Sequence, residues 1–201
     1  MSESRTEQRL GKAGVGAFFR PRDVKPFGVS YHQIQGLVAD GVVEPLGHGL
    51  YRVSSVEPTE METVAMVAAA VPGAIVCLLT ALAVHEIGTQ LPHEVWIAID
   101  RKSRKPTHPP ASTRIVRFSG AMLTIGVIQQ DMLGVAVSIT SPARTVVDCF
   151  RYRNKVGIDV AMEALRETVR SRKASVDEIA RVAQACRIRT VIRPYLEALS
   201  A

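Results

Sequence analysis

The sequence predicts an α+β protein: a small N-terminal unit of helices and a hairpin, then a larger domain in which helices flank a small sheet. Three observations predict it. Residues 21–41 read as two short helices joined around Gly28. Residues 42–53 then change period to two β-prone runs about a Gly-His-Gly turn. The rest of the chain mixes helix-period and strand-period segments. With 201 residues, 47% hydrophobic and 22% charged, the chain can bury two small cores. The expected division is 1–56 and 57–201.

Arg5 to Lys12 reads as a short polar helix. Pro21 suits the first position of the next helix, where its missing N–H costs nothing, and Gly28 ends it. Ser30, with Gln33 three residues on, is a capping-box pattern that opens a second helix. Val29, Ile34, Leu37 and Val38 form its apolar stripe, and Gly41 stops it. Val42–Leu46 and Leu50–Val53 are strands, and glycines on both sides of His48 permit the positive φ of a tight turn. Two helices followed by a hairpin make a winged helix-turn-helix.

In that motif the second helix enters the major groove of DNA with its early exposed residues on base edges. Here these are Ser30, Tyr31, His32 and Gln35, of which glutamine can make a bidentate contact with adenine. Arg20, Arg22 and Lys25 at the first helix, and Arg52 at the base of the hairpin, are expected on phosphates, with His48 at the hairpin tip. The reading helix holds no Lys or Arg. The same fold used for protein contacts is therefore the alternative.

Val53–Pro58 reads as a linker. Thr59 opens a helix with Met61, Val64, Ala65 and Ala68 on one face; Ala74–Cys77 is a short strand, and Leu78–Ile87 a helix ended by Gly88. Val64–Val84 has no charge, but Pro72-Gly73 interrupts it and no Lys or Arg anchors either end. Two buried elements explain it better than a membrane span. Strands follow at Glu94–Ile99, Arg114–Phe118, Val127–Met132 and Val135–Thr140, the last two turning at Leu133-Gly134. Ser141-Pro142 caps a helix over Ala143–Arg151. Three more helices cover Ile158–Arg172, with Ile158, Met162, Leu165 and Val169 as its stripe, then Ser175–Cys186 and Thr190–Leu199.

Net charge is +6, unevenly placed: residues 57–100 carry six acids and no Lys or Arg, whereas 101–157 carry ten basic residues and two acids. Such a surplus attracts phosphate-rich partners without dictating a fold. Arg101, Lys102, Arg104, Lys105, Arg114 and Arg117 form a second basic surface, centred on a proline-rich loop and equally compatible with solvation and with binding. No phosphate loop, HExxH or GxSxG occurs, so no catalytic residue, metal or cofactor is expected. A nuclease reading would need Asp100 with Glu94, but six residues along a strand separate them by roughly 20 Å, too far to share a metal. Arg144 and Asp148, four apart on a helix, read as a local pair, and His85 and His93 as structural. Cys77, Cys149 and Cys186 have neither disulfide nor metal spacing, and Met1–Arg5 lacks the apolar core of a signal peptide. A reducing cytoplasm is the expected location.

Four segments carry a resemblance: Phe18-Phe19-Arg20-Pro21-Arg22-Asp23-Val24, Gly47-His48-Gly49-Leu50-Tyr51-Arg52, Leu91-Pro92-His93-Glu94-Val95-Trp96 and Ser141-Pro142-Ala143-Arg144-Thr145-Val146-Val147-Asp148. In this order the chain resembles the AbiEi-type antitoxins and transcriptional regulators of bacterial type IV toxin–antitoxin systems. The resemblance implies an N-terminal winged helix that represses its own operon by binding inverted repeats in promoter DNA. It also implies a C-terminal domain that counteracts a cognate nucleotidyltransferase toxin, with no enzymatic activity of its own. The neutral residues at 31, 32, 35, 36 and 48 depart from the arginines that the family tends to place on the reading helix. The alternative is a stand-alone winged-helix transcription factor whose C-terminal domain senses a ligand or dimerises. Oligomeric state stays open, a monomer included.

Overall fold

The computed structural model describes residues 10, 14, 16–57, 59 and 61–200. The fold is mixed α+β with two sheets. Contacts divide the chain into two compact units, one of 1–72 with 106–111 and 130–137, the other of 73–105, 112–129 and 138–201. Of the expected first helix only Leu10 is described, helical and buried; the rest of Arg5–Lys12 lies outside the described residues.

The first unit contains β1 (Phe18–Phe19), α1 (Pro21–Val24) running into a 3-10 turn over Lys25–Phe27, α2 (Tyr31–Ala39), β2 (Val43–Gly47), β3 (Leu50–Val53) and α3 (Glu62–Ala70). Its strands form an antiparallel sheet in the order β1-β3-β2. Phe18 stands opposite Arg52 and Val43 opposite Val53. β1 was not expected; two residues are too few for any period to reveal. The cap of α2 forms as the spacing predicts: Gln33 N–H donates to Ser30 Oγ at 3.3 Å, and Ser30 N–H donates to Gln33 Oε1 at 2.9 Å. Ile34 and Leu37 on its inner face join Val24, Val29, Phe19, Val43 and Tyr51 in one core. Fully burying such a side chain contributes about 1.5–3 kcal/mol.

This unit extends past the expected boundary at residue 56, for three local reasons. Helix α3 packs on β1. Residues expected as a linker are tied back: Ser54 N–H donates to Val42 O at 3.0 Å, and Arg52 Nη2 to Val56 O at 2.9 Å. At residue 17, Ala17 N–H donates to Leu133 O at 2.6 Å. Helix α3 itself starts at Glu62 rather than Thr59 and buries Val64, Ala65 and Val67, so its inner face is turned away from Met61 and Ala68.

The second unit contains β4 (Ile75–Val76), α4 (Leu78–Val84), β5 (Val95–Asp100), β6 (Thr113–Phe118), β7 (Val127–Met132), β8 (Val135–Thr140), α5 (Pro142–Arg151), α6 (Arg153–Val156), α7 (Ile158–Arg170), α8 (Val176–Ala185) and α9 (Arg189–Ser200). The tip of the β7–β8 hairpin, 130–137, is counted with the first unit. Sheet order is β6-β5-β4-β8-β7. β5 runs parallel to β6 and antiparallel to β4, and β4 is parallel to β8. Val95 to Ile99 are all buried, the mark of a central strand covered on both faces. The β7–β8 turn places Leu133 at φ 56° and Gly134 at φ 74°, the mirror-image turn that fits strand twist.

Helix α5 is the hub of this unit. Ser141 Oγ caps it by accepting from Arg144 N–H at 3.4 Å, Pro142 takes its first turn, and every residue from Ala143 to Phe150 is buried. It packs against α4, α7, α8 and α9. Within it, Arg144 Nε lies 2.9 Å from both carboxylate oxygens of Asp148, with both side chains fully buried. The guanidinium also donates to the carbonyls of Met122 and Ile125 and lies 4.9 Å from the centre of the Phe118 ring. The local pair expected from sequence is thus a core ion pair that closes the 122–125 turn. In helix α7 Leu165 is buried and Met162 and Val169 pack on the core as expected, with Val160, Ala161, Ala164 and Thr168 also inward, while Ile158 is 42% exposed. The uncharged run Val64–Val84 is shared among α3, β4 and α4, and no described helix is long and apolar enough to cross a membrane.

Candidate nucleic-acid interface

The outer face of α2 is built by the same period that buries Ile34 and Leu37. Tyr31, His32, Gln35 and Gly36 are exposed on it, Tyr31 by 62%. A Cβ at Gly36 would meet nothing within 4 Å, so the backbone there is open to a close partner. Ser30 is exposed, but its hydroxyl is engaged in the cap. Gln35 is exposed, and its Nε2 donates to Tyr51 Oη at 3.2 Å, which orients the amide. Burial pushes the Tyr51 hydroxyl above its usual range; Tyr31 reinforces this and Gln35 opposes it. It stays protonated at neutral pH and can donate in turn.

The expected phosphate contacts separate into two groups. Arg22 and Lys25 are exposed beside α2; Arg22 has only a loose 3.5 Å approach to Asp23. They line an open concavity of about 580 Å³ with Pro21, Val29, Ser30 and Tyr31. Arg20 and Arg52 serve the fold instead. Arg20 Nε and Nη2 donate to the carbonyls of Ala69 and Ala70 at 3.4 and 2.6 Å, closing the end of α3. Arg52, 13% exposed, holds Glu62 at 2.7 Å and lies 4.0 Å from Glu44. These bonds tie both guanidiniums into the fold; Nη1 of Arg20 is left without a partner among the described residues. The sequence placed these residues near the interface but could not show which way they turn.

His48 stands at the hairpin tip with φ 48°, between Gly47 at 90° and Gly49 at 72°. Its ring stacks on His108, centroids 4.9 Å apart and 3° from parallel. The second basic surface also divides. Arg101, Lys102, Arg104 and Lys105 are exposed and make no ion pair among the described residues. Arg114 pairs with Glu94 at 3.4 Å and lies 5.0 Å over the Trp96 ring. Arg117 Nη1 donates to the carbonyls of Asp100 and Ser103 at 2.9 and 2.6 Å. These two shape the loop that displays the other four.

Glu94 and Asp100 are each engaged by local partners. Glu94 is held by Arg114 and Ser112, and Asp100 Oδ1 accepts from Lys102 N–H at 2.8 Å. No group of three or more metal-ligating side chains occurs among the described residues. His85 Nε2 is 2.7 Å from Thr140 O, and burial lowers its pKa, Thr140 opposing and Lys173 adding to the effect. His93, expected as structural, is exposed.

The fold has a solved counterpart. The RV2827C protein from Mycobacterium tuberculosis is similar in structure, with TM-score 0.54 and 12% identity over 92% of this chain and 76% of that one. At that identity the likeness shows the fold alone. No family model matches the chain, and no curated protein matches it.

Three residues of this surface escaped sequence reasoning: Phe27, 47% exposed next to Lys25, and Thr107 with His108, which reach the His48 turn. Phe27 between Pro26 and Gly28 is a recognisable signal, because an aromatic in a tight turn has little core to enter. The meeting of residues 48 and 108 left no trace in sequence.

Proposed function

We propose that residues of the first unit form a winged helix-turn-helix that binds promoter DNA, with α2 in the major groove and the β2–β3 hairpin as the wing. The observation that carries this reading is the outer face of α2: Tyr31, His32 and Gln35 are exposed together, with Arg22 and Lys25 beside its N-terminus. Tyr31 and Gln35 meet base edges, and Arg22 and Lys25 meet phosphates. The cellular role that best suits this is a cytoplasmic autorepressor and antitoxin whose second unit counteracts a nucleotidyltransferase toxin. That role rests on the four motif segments at 18–24, 47–52, 91–96 and 141–148. Three buried free thiols agree with a reducing compartment.

With two phosphate contacts the affinity is modest, and counterion release weakens it by on the order of tenfold between 50 and 200 mM salt. Titration of promoter and random duplexes at several salt concentrations tests the assignment. Arg22→Ala with Lys25→Ala should weaken both DNAs and reduce the salt slope by about two. Tyr31→Ala or Gln35→Ala should instead narrow the gap between promoter and random DNA. Equal losses on both duplexes for every variant would sink the reading-helix assignment. An empty footprint on the upstream region at low salt would sink DNA binding itself. The antitoxin role is tested by co-expression with the adjacent gene product, scored for growth rescue.

A further inference from the structure

Within the first unit, an open pocket of about 210 Å³ lies where the His48 turn and the segment Pro106–Ala111 meet beside the end of α3, with His48, Thr107 and His108 exposed to solvent. We infer that this pocket is an oxyanion site, shaped for a phosphate group and loaded together with protons on His48 and His108. Its polar side chains are Arg20, His48, Thr107 and His108, a guanidinium, two imidazoles and a hydroxyl. The remaining described lining is apolar or proline, and none of it is acidic. Every charge that can appear there is positive. At this size it is below the roughly 300–1,000 Å³ of sites for larger organic ligands.

Arg20 makes the site a prepared one. Its bonds to the carbonyls of Ala69 and Ala70 fix the cation in place and offset the negative end of α3, which would otherwise repel an anion. Nη1 of Arg20 has no partner among the described residues, so its two N–H groups remain for a ligand. The parallel imidazoles repel once both are charged, with Arg20 as a third positive group. An anion against the stack removes that repulsion. A proton on either imidazole adds to the positive charge of the site, so occupancy is expected to rise as the imidazoles are protonated. The prolines at 106, 109 and 110 limit the freedom of the opposing segment.

The site does not depend on the DNA reading, since a nucleic-acid backbone and a free phosphate share this chemistry. Sulfate is the probe, because its charge is constant over the range in which imidazole titrates. It is titrated into the full chain at pH 6 and pH 8, with sodium chloride holding ionic strength, while the imidazole proton resonances are followed by NMR. Saturable shifts of His48 and His108 are expected, with affinity at least about tenfold tighter at pH 6, as coupling to one proton allows. His48→Asn, which keeps a residue tolerant of left-handed backbone, and His108→Gln should each abolish the pH dependence. Unsaturable shifts matched by chloride, or equal affinity at both pH values, would overturn the inference. If a short duplex displaces sulfate, the natural ligand is a nucleic-acid phosphate; if only inorganic phosphate does, it is a free one. Sulfate binding in a protein that ignores DNA would uphold the site while removing the regulator.

Discussion

At Arg144 and Asp148 two charges are held where water does not reach, so each depends on the other. Asp148→Asn keeps the shape and removes the counter-charge, and should lower stability to urea by about 3–5 kcal/mol. Replacing both residues with apolar ones should recover much of that loss, because no buried charge is then left alone. A single variant as stable as the parent would show that the pair contributes little. Burial moves the Asp148 carboxyl up to about 6, against the pull of Arg144. At pH 7.5 the carboxyl is therefore ionised and paired with Arg144. Burial lowers the pKa of His85, so the unfolded chain binds more protons in the window below the ordinary value of 6.5, and stability is lost as pH falls through it. His85→Gln removes that penalty. The gap in urea midpoint between parent and variant should therefore shift in favour of the variant from pH 7.5 to pH 5.5, the Asp148 contribution being common to both. A constant gap would contradict the direction given for His85.

Elements meet most closely where the β7–β8 turn reaches residue 16. A Cβ at Gly16 would lie 2.3 Å from Gly134 C and 2.4 Å from Leu133 O. Both clashes are with backbone, so no side chain can rotate aside. Gly16→Ala should cost about 1–3 kcal/mol or more, as overpacking does, and lower the melting temperature measured by circular dichroism. An unchanged temperature would mean that the 2.6 Å bond from Ala17 to Leu133 is dispensable. Much at this scale was readable in the sequence. The Ser30–Gln33 cap, the proline starts at 21 and 142 and the Leu133-Gly134 turn occur where the spacing places them, because each is satisfied by residues a few positions apart. The stripe of α7 holds at Met162, Leu165 and Val169 and fails at Ile158, the first residue of the helix. At the candidate site, the outer face of α2 follows from period alone, but the orientations of Arg20 and Arg52 depend on carbonyls and carboxylates of α3 and its approach.

On the scale of the whole molecule, the first unit draws on three separate stretches of chain, 1–72, 106–111 and 130–137. A fragment of residues 1–56 keeps both helices and the hairpin but leaves Arg20 without Ala69 and Ala70, and Arg52 without Glu62. It also loses the Leu133 acceptor of Ala17. Such a fragment should show the narrow amide-proton dispersion of an unfolded chain, and DNA affinity should be absent with it. A folded spectrum from 1–56 would show that these three ties are not needed. The consequence for function is that the proposed reading head and the rest of the chain are not separable by a cut at the apparent linker.

Sequence alone determined what is local: the capped starts of α2 and α5, which hairpins turn, which face of α2 meets solvent, and that the chain is α+β. Capping, turn geometry and period act over three to eight residues and need no distant partner. Tertiary structure alone decided that Arg20 and Arg52 point inward, that Arg144 and Asp148 lie in a core, and that His48 meets His108 sixty residues on. The direction of a long side chain, and the burial of a charge, depend on which remote groups the folded chain brings within a few ångströms, and no spacing encodes that.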